Sequence, residues 1–134
     1  EAEMMLKDKT ILRDKSATAI IAVSDLDRAR TFYRDTLGLE ITDENEEVLT
    51  FRTGATRLEV YKSDFAGTNK ANAVVWGVGD DFDTAIDELR ASGVTFEEYP
   101  DMEMEISGGV HASGAFKAVW FKDPDGNILH VNNM

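Results

Sequence analysis

The chain has 134 residues, of which 43% are hydrophobic, and it carries a formal net charge of −12 with no cysteine. This length predicts one domain with an ordinary packed core, and the acidic surface argues against a nucleic-acid partner, whose phosphates need basic side chains. The absence of cysteine excludes disulfides and thiolate metal ligands. No apolar run approaches the roughly 18 residues of a membrane span, so we expect a cytoplasmic protein without a membrane partner.

Residues 1–16 precede the first predicted strand and are mainly polar. We interpret them as an N-terminal extension, and residues 1–3, which lie ahead of the pair Met4-Met5, as a cloning remnant. Residues 17–134 are predicted to form one domain.

The first unit of that domain, residues 17–62, starts with the apolar stretch Ala19–Val23, which predicts a strand. Ser24 and Asp27 then provide a helix-start signal, and Gly38 suits the position just after a helix end. Three further strands are predicted after the helix, at 39–42, 48–52 and 57–61.

The same plan returns in a second unit, residues 72–132. An apolar strand ends at Val78, a helix ends at Gly93, and strands are predicted at 94–97, 116–121 and 127–131. The difference between the two units is an insertion at 100–114, which predicts a long glycine-containing loop of the kind that often forms a lid.

Because each unit alone leaves one sheet face uncovered, the two units must pair. The predicted fold is therefore α+β. It consists of tandem βαβββ modules that form a curled mixed sheet around a central cleft, with helices on the outer faces.

Two segments, VSDLDRARTFYRDTLGLEI at 23–41 and FKDPDGNILHV at 121–131, resemble the vicinal oxygen chelate superfamily. This superfamily includes glyoxalase I, extradiol dioxygenases, fosfomycin-resistance enzymes and bleomycin-binding proteins. The resemblance implies paired βαβββ modules around a cavity, a divalent metal held inside it in most enzymes, and a homodimer that completes two clefts.

Carried over by these motifs, the metal-ligand positions of the family fall on Thr18, Glu59, Ala73 and His130. Alanine offers no donor atom and threonine is a poor ligand, so we predict no cofactor. If a divalent metal does bind, Glu59 and His130 are the expected ligands, and His111 on the long loop would complete the set by folding over. Otherwise His130 is a cavity-lining group hydrogen-bonded to Glu59, or an ordinary polar residue of an edge strand.

Period-two alternation, anchored on the ligand position in the 57–61 strand, places Arg57 and Tyr61 on the cavity side. By the resemblance, Trp120 stands at a ligand-contacting position, and alternation gives Phe116 the same face. With Glu59, His130 and Thr18, these residues make up the predicted ligand site.

Two acidic clusters, at 40–47 and 97–105, contain no basic residue. Aromatic rings bordered by carboxylates suit planar cationic ligands, although a solvated acidic surface explains the clusters equally simply. We therefore expect a small-molecule-binding protein similar to bleomycin-resistance proteins. The alternatives are a metal-dependent lyase, isomerase or dioxygenase, and a metal-free catalyst in which Glu59 orients His130 as general base.

Overall fold

The computed structural model describes residues 10–134, so the interpretation of residues 1–3 lies outside the described range. The first module forms a four-stranded sheet in the order β1-β4-β3-β2, with β1 parallel to β4 and the remaining pairs antiparallel. Its strands are β1 (Ala19–Val23), β2 (Glu40–Glu44), β3 (Val48–Thr53) and β4 (Thr56–Lys62).

The second module forms a five-stranded sheet in the order β5-β9-β8-β7-β6, with β5 parallel to β9. Its strands are β5 (Asn72–Gly77), β6 (Glu105–Ser107), β7 (Val110–Ser113), β8 (Phe116–Lys122) and β9 (Ile128–Asn132). In both sheets the first strand of the module lies parallel to its last strand. This shared connectivity confirms the α+β prediction of tandem βαβββ modules with curled mixed sheets.

The structure differs from the prediction in the segment 94–100 and in the predicted loop at 100–114. No strand forms at 94–97, where the N–H of Glu97 donates to the carbonyl of Trp120 (2.7 Å) outside any ladder. The predicted loop contains the β6–β7 hairpin instead, with Gly108 and Gly109 as its two turn residues at φ 58° and 83°. Positive φ at both turn residues matches the twist of a two-residue hairpin, so the glycine pair is the cause of this extension.

Each module contributes one helix. Helix α1 (Leu26–Arg30) begins after Asp25, whose carboxylate accepts the N–H of Arg28 (3.1 Å), and it continues as a π-helical segment, Thr31–Thr36. Helix α2 (Phe82–Ala91) follows β5. Within residues 10–134, neither helix has the length and apolar character needed to cross a bilayer.

One hydrophobic core joins the two modules. Alternate side chains of both sheets enter it together with apolar residues of the two helical segments, and its buried members include Ile21, Val23, Leu49, Phe51, Leu58, Val60, Val119, Phe121, Leu129, Val131, Ala29, Tyr33, Phe82 and Ile86. Because strand side chains alternate, the residues between these face away from the core. Each sheet thus has one covered face and one face free of helix, and the predicted site residues of the strands belong to the free faces.

The Asp-Pro-Asp-Gly turn between β8 and β9 attaches the second module to the first. The buried hydroxyl of Tyr33 donates to Asp123 (2.7 Å), and Asp125 accepts hydrogen bonds from Ser24 and from Arg28. Burial, reinforced by the carboxylate of Asp123, raises the pKa of Tyr33. The turn therefore has a structural role at the junction of the modules.

Candidate functional site

The free face of the second sheet carries a packed aromatic cluster. Trp120 on β8 and His130 on β9 are cross-strand neighbours, and their rings stack with centroids 4.5 Å apart and an interplanar angle of 17°. Trp120 is only 6% exposed and His130 only 8%. In the single chain the indole is therefore a covered ring and not the open platform that a ligand-binding floor requires.

Two more rings border the same indole. Tyr99, from the segment between α2 and β6, lies 5.6 Å from Trp120, and His111 on β7 lies 5.0 Å from it, both nearly perpendicular to the indole plane. Edge-to-face contacts of this kind are favourable because a positive ring edge meets a negative ring face. The four rings form one cluster, called here the aromatic cluster: Tyr99, His111, Trp120 and His130.

Both ring nitrogens of His130 are committed to protein partners. The N–H of Met134 donates to Oδ1 of Asn132 (3.1 Å), which turns the Nδ2 amide group of that asparagine toward Nε2 of His130 (3.1 Å). Nε2 therefore accepts, and Nδ1–H donates to the carbonyl of Val119 (3.1 Å). Burial lowers the pKa of His130, against a smaller opposing effect of the bond to Val119. The imidazole is held neutral with its only lone pair occupied.

His111 is fixed in the same way. The N–H of Tyr99 donates to Nε2 of His111 (2.9 Å), so that Nδ1–H donates to the carbonyl of Gly109 (3.0 Å). The side chain is completely buried. The expectation that His111 folds over on a loop to complete a metal site is therefore wrong, because a strand holds it inside the sheet face with both nitrogens in use.

The free face of the first sheet carries the remaining predicted strand residues. Arg57 is exposed, whereas Glu59 and Tyr61 are half-buried, and all three belong to β4. Ile20, the ladder neighbour of Glu59 on β1, is 58% exposed. Thr18 is exposed and lies just before β1. This face is open and partly apolar.

The two halves of the predicted site are not joined by polar contacts in the described part of the chain. Among residues 10–134, no hydrogen bond or ion pair links Glu59 to His130, and the imidazole nitrogens are bonded to Val119 and Asn132 instead. The predicted bond between Glu59 and His130 is wrong for the single chain. In the single chain, the arrangement that the metal-free catalyst needs, in which Glu59 orients His130, is not formed.

The four positions where the family holds its metal do not fit a divalent ion. Ala73 has no donor, Thr18 is exposed ahead of β1, and the lone pair of His130 is occupied, which leaves only the carboxylate of Glu59. Within the described part of the chain, no group of three or more histidine, aspartate or glutamate side chains is arranged to hold a metal. Catalytic sites normally need three protein ligands.

Ion pairs neutralise part of the first acidic cluster. Glu40 pairs with Arg52 (3.2 Å), which lowers the pKa of Glu40, and Glu44 pairs with Arg30 (2.9 Å). In the second cluster Glu97 pairs with Lys122 (3.4 Å). Basic residues from other strands and from α1 therefore lie against both acidic clusters.

Sequence reasoning missed Tyr99 and Asn132 and misplaced His111. Phe116, in contrast, lies half-buried on β8, opposite Ser113 and on the face predicted for it. Asn132 lies two residues after His130. This spacing places both side chains on one strand face, so the sequence does contain a signal for Asn132. No comparable signal existed for Tyr99, because it lies beyond the predicted strand at 94–97 and directly before Pro100.

Comparison with known proteins places this geometry in context. The family model described as "Glyoxalase/Bleomycin resistance protein/Dioxygenase superfamily" matches residues 15–131. The uncharacterized protein YraH of Bacillus subtilis (strain 168) is 28% identical over 128 residues, covering 85% of this chain and 94% of that protein.

Similar solved structures share the fold. A glyoxalase/bleomycin resistance protein/dioxygenase from Alicyclobacillus acidocaldarius has a TM-score of 0.68 at 19% identity, covering 89% of this chain and 90% of that one. The fosfomycin resistance protein FosX from Mesorhizobium loti has a TM-score of 0.66 at 12% identity, covering 90% and 92%.

Proposed function

Because the chain belongs to the glyoxalase/bleomycin resistance protein/dioxygenase superfamily, we propose that it binds a small molecule at the free sheet faces and does so without a catalytic metal. The observation that carries this proposal is the state of His130. Its one lone pair accepts a hydrogen bond from Asn132, whose orientation is fixed in turn by the N–H of Met134. A metal at this position would have to break that chain of bonds.

The proposed site needs a second copy of the chain. Among residues 10–134 of one chain, no hydrogen bond or ion pair joins the predicted residues of the two free faces, and each face carries a 58% exposed aliphatic side chain, Ile20 on β1 and Val75 on β5. Val75 is the ladder neighbour of His130, just as Ile20 is that of Glu59. We propose a homodimer in which the first-sheet face of one protomer covers the second-sheet face of its partner. Such pairing buries both aliphatic residues.

In that arrangement, each cleft has a polar wall and an aromatic wall. The polar wall consists of Arg57, Glu59 and Tyr61, and the aromatic wall consists of Phe116, Trp120 and His130. Glu59 supplies a carboxylate to the polar wall, and the chain as a whole carries a net charge of −12. Both features favour a planar cationic ligand, for which ring stacking contributes about 0.5–1.5 kcal/mol beyond area burial.

The test is binding of proflavine, a planar cation, to protein dialysed against EDTA and checked for metal by elemental analysis. Anthracene-2-carboxylate, a planar anion with three fused rings, is the matched control ligand. We expect saturable proflavine binding in EDTA and weaker binding to Glu59→Gln and to Trp120→Phe. Trp76→Phe should have little effect, because Trp76 on β5 packs against the core, on the other side of the sheet. Preference for the anion would contradict the ligand class. Stoichiometric metal retained through dialysis and lost in His130→Ala would contradict the metal-free site.

A further inference from the structure

We propose that Tyr99 closes the ligand site over Trp120 and that His111 is the positioning residue that holds Tyr99 there. This inference deepens the proposed function, because it states how access to the aromatic wall is controlled. The proposal starts from the observation that the Trp120 indole is covered, because strand alternation alone does not require a covered ring.

The segment that carries Tyr99 makes few backbone hydrogen bonds to the sheet, although Phe96 packs against Phe121 and Glu97 pairs with Lys122. Among the described residues, two backbone N–H groups of 95–99 bond to the sheet, that of Glu97 to the carbonyl of Trp120 (2.7 Å) and that of Tyr99 to Nε2 of His111 (2.9 Å). In a regular strand the carbonyls of these residues would also accept N–H groups of the neighbouring strand, and no carbonyl of 95–99 accepts one from the described part of the sheet. Segments with few backbone bonds open at lower free energy than ladder strands.

The attachment at His111 is specific in its chemistry. Only a side chain with an acceptor atom at the position of Nε2 can bond the N–H of Tyr99, and the bond from Nδ1–H to Gly109 (3.0 Å) fixes the ring with that lone pair directed outward. An aliphatic residue at 111 would leave the partly buried N–H of Tyr99 without its protein partner, which destabilises the closed position. The imidazole therefore connects the hairpin strand β7 to the covering segment.

The covering ring itself is loosely held. Tyr99 is half-buried, it contacts Trp120 and His111 at ring distances of 5.6 and 5.9 Å, and no described residue hydrogen-bonds its hydroxyl. Partial burial raises the pKa of Tyr99, so the phenol is protonated and uncharged at neutral pH. A ligand ring that replaces the phenol on Trp120 loses little protein hydrogen bonding. We infer that the site selects flat rings that take the place of the Tyr99 ring.

The first test uses no ligand. The chain has two tryptophans, so Trp76→Phe leaves Trp120 as the sole indole, and acrylamide quenching then measures access to it. In this background we expect Tyr99→Ala to increase the quenching constant several-fold, and Tyr99→Phe, the matched control, to leave it unchanged. His111→Leu should also increase quenching although Tyr99 is still present, and His111→Gln, which offers an acceptor at similar reach, should restore protection.

The same variants give a second, kinetic readout with proflavine. Removing the cover should raise both the association and dissociation rates in Tyr99→Ala relative to Tyr99→Phe. Equal acrylamide quenching of the Tyr99→Ala variant and its parent would overturn the closure. If His111→Leu does not fold, the comparison of Tyr99→Ala with Tyr99→Phe at this half-buried position still tests the closure. Quenching changes without proflavine binding would support the closure while contradicting the proposed ligand, so the two failures are distinguishable.

Discussion

Replacing His130 by phenylalanine isolates the hydrogen bonds of this residue from its stacking. The variant keeps a ring against Trp120 but removes the bond to the Val119 carbonyl and the bond from the Asn132 amide, each 3.1 Å long. Asn132 is only 8% exposed, so its amide loses a partner that water cannot readily replace. Since an unsatisfied buried polar group costs about 1–3 kcal/mol, we expect the free energy of unfolding to fall by about 2–3 kcal/mol.

The assay is urea unfolding at pH 7.5 in EDTA, so that no metal contributes. The matched control is Asn133→Ala, which removes two side-chain hydrogen bonds from a more exposed neighbouring residue and should cost less than about 1 kcal/mol. An unfolding free energy of His130→Phe equal to that of the wild type in EDTA would refute the argument. So would a loss that appears only when divalent metal is added, because it would identify the imidazole as a ligand.

Because burial lowers the folded pKa of His130 below 6.5, the unfolded chain binds the proton first as the pH falls. The stabilisation is complete above about pH 6.5 and decreases below it by at most about 1.4 kcal/mol per pH unit. The measurement is the difference in unfolding free energy between the wild type and His130→Gln as a function of pH. A difference that does not change with pH would show that the assignment is mistaken. Tyr33→Phe removes a buried bond to Asp123 and should lower the unfolding free energy by about 1–3 kcal/mol in denaturant titrations; no change would mean that the turn does not anchor the modules. Ile20→Asp or Val75→Asp should yield a folded monomer by light scattering, whereas an unchanged dimer would show that these faces do not pair.

The repeat and its modules could be predicted from the sequence because their signals are local. Ser24 and Asp27 precede the first helix, Gly38 follows it, and apolar strands flank it at regular spacing. The family resemblance assigned Trp120 and His130 to the ligand site, and they are found stacked on one sheet face. These features depend on residues near one another in the chain, for which periodicity is informative.

The β6–β7 hairpin has a local signal in the sequence. Gly108-Gly109 lies between two short stretches that pair with each other, and two consecutive glycines suit a two-residue turn. Residues 101–106 alternate acidic and apolar side chains, which is typical of a strand, whereas the length of the insertion and its glycines favour a loop, and the loop prediction is wrong for β6 and β7. The position of His111 followed from that error.

Other features lie beyond what one sequence encodes. Whether Glu59 meets His130 depends on how two sheets pack around a common core, and side-chain periodicity does not specify that packing. The tautomer of His130 depends on the amide orientation of Asn132, which is fixed by the backbone of Met134. These are hydrogen-bond networks whose members become neighbours only after folding.

The most direct test of the central claim is a long-range ¹H–¹⁵N spectrum of the two imidazoles, recorded with and without equimolar Zn²⁺ near pH 7.5. If the protein binds its ligand without a metal, His130 should be neutral with the proton on Nδ1, and zinc should leave its Nε2 resonance unchanged. His111, the other histidine, should show the same tautomer and serves as an internal reference. A zinc-dependent shift of the His130 Nε2 resonance, with that of His111 unaffected, would contradict the claim and identify His130 as a metal ligand.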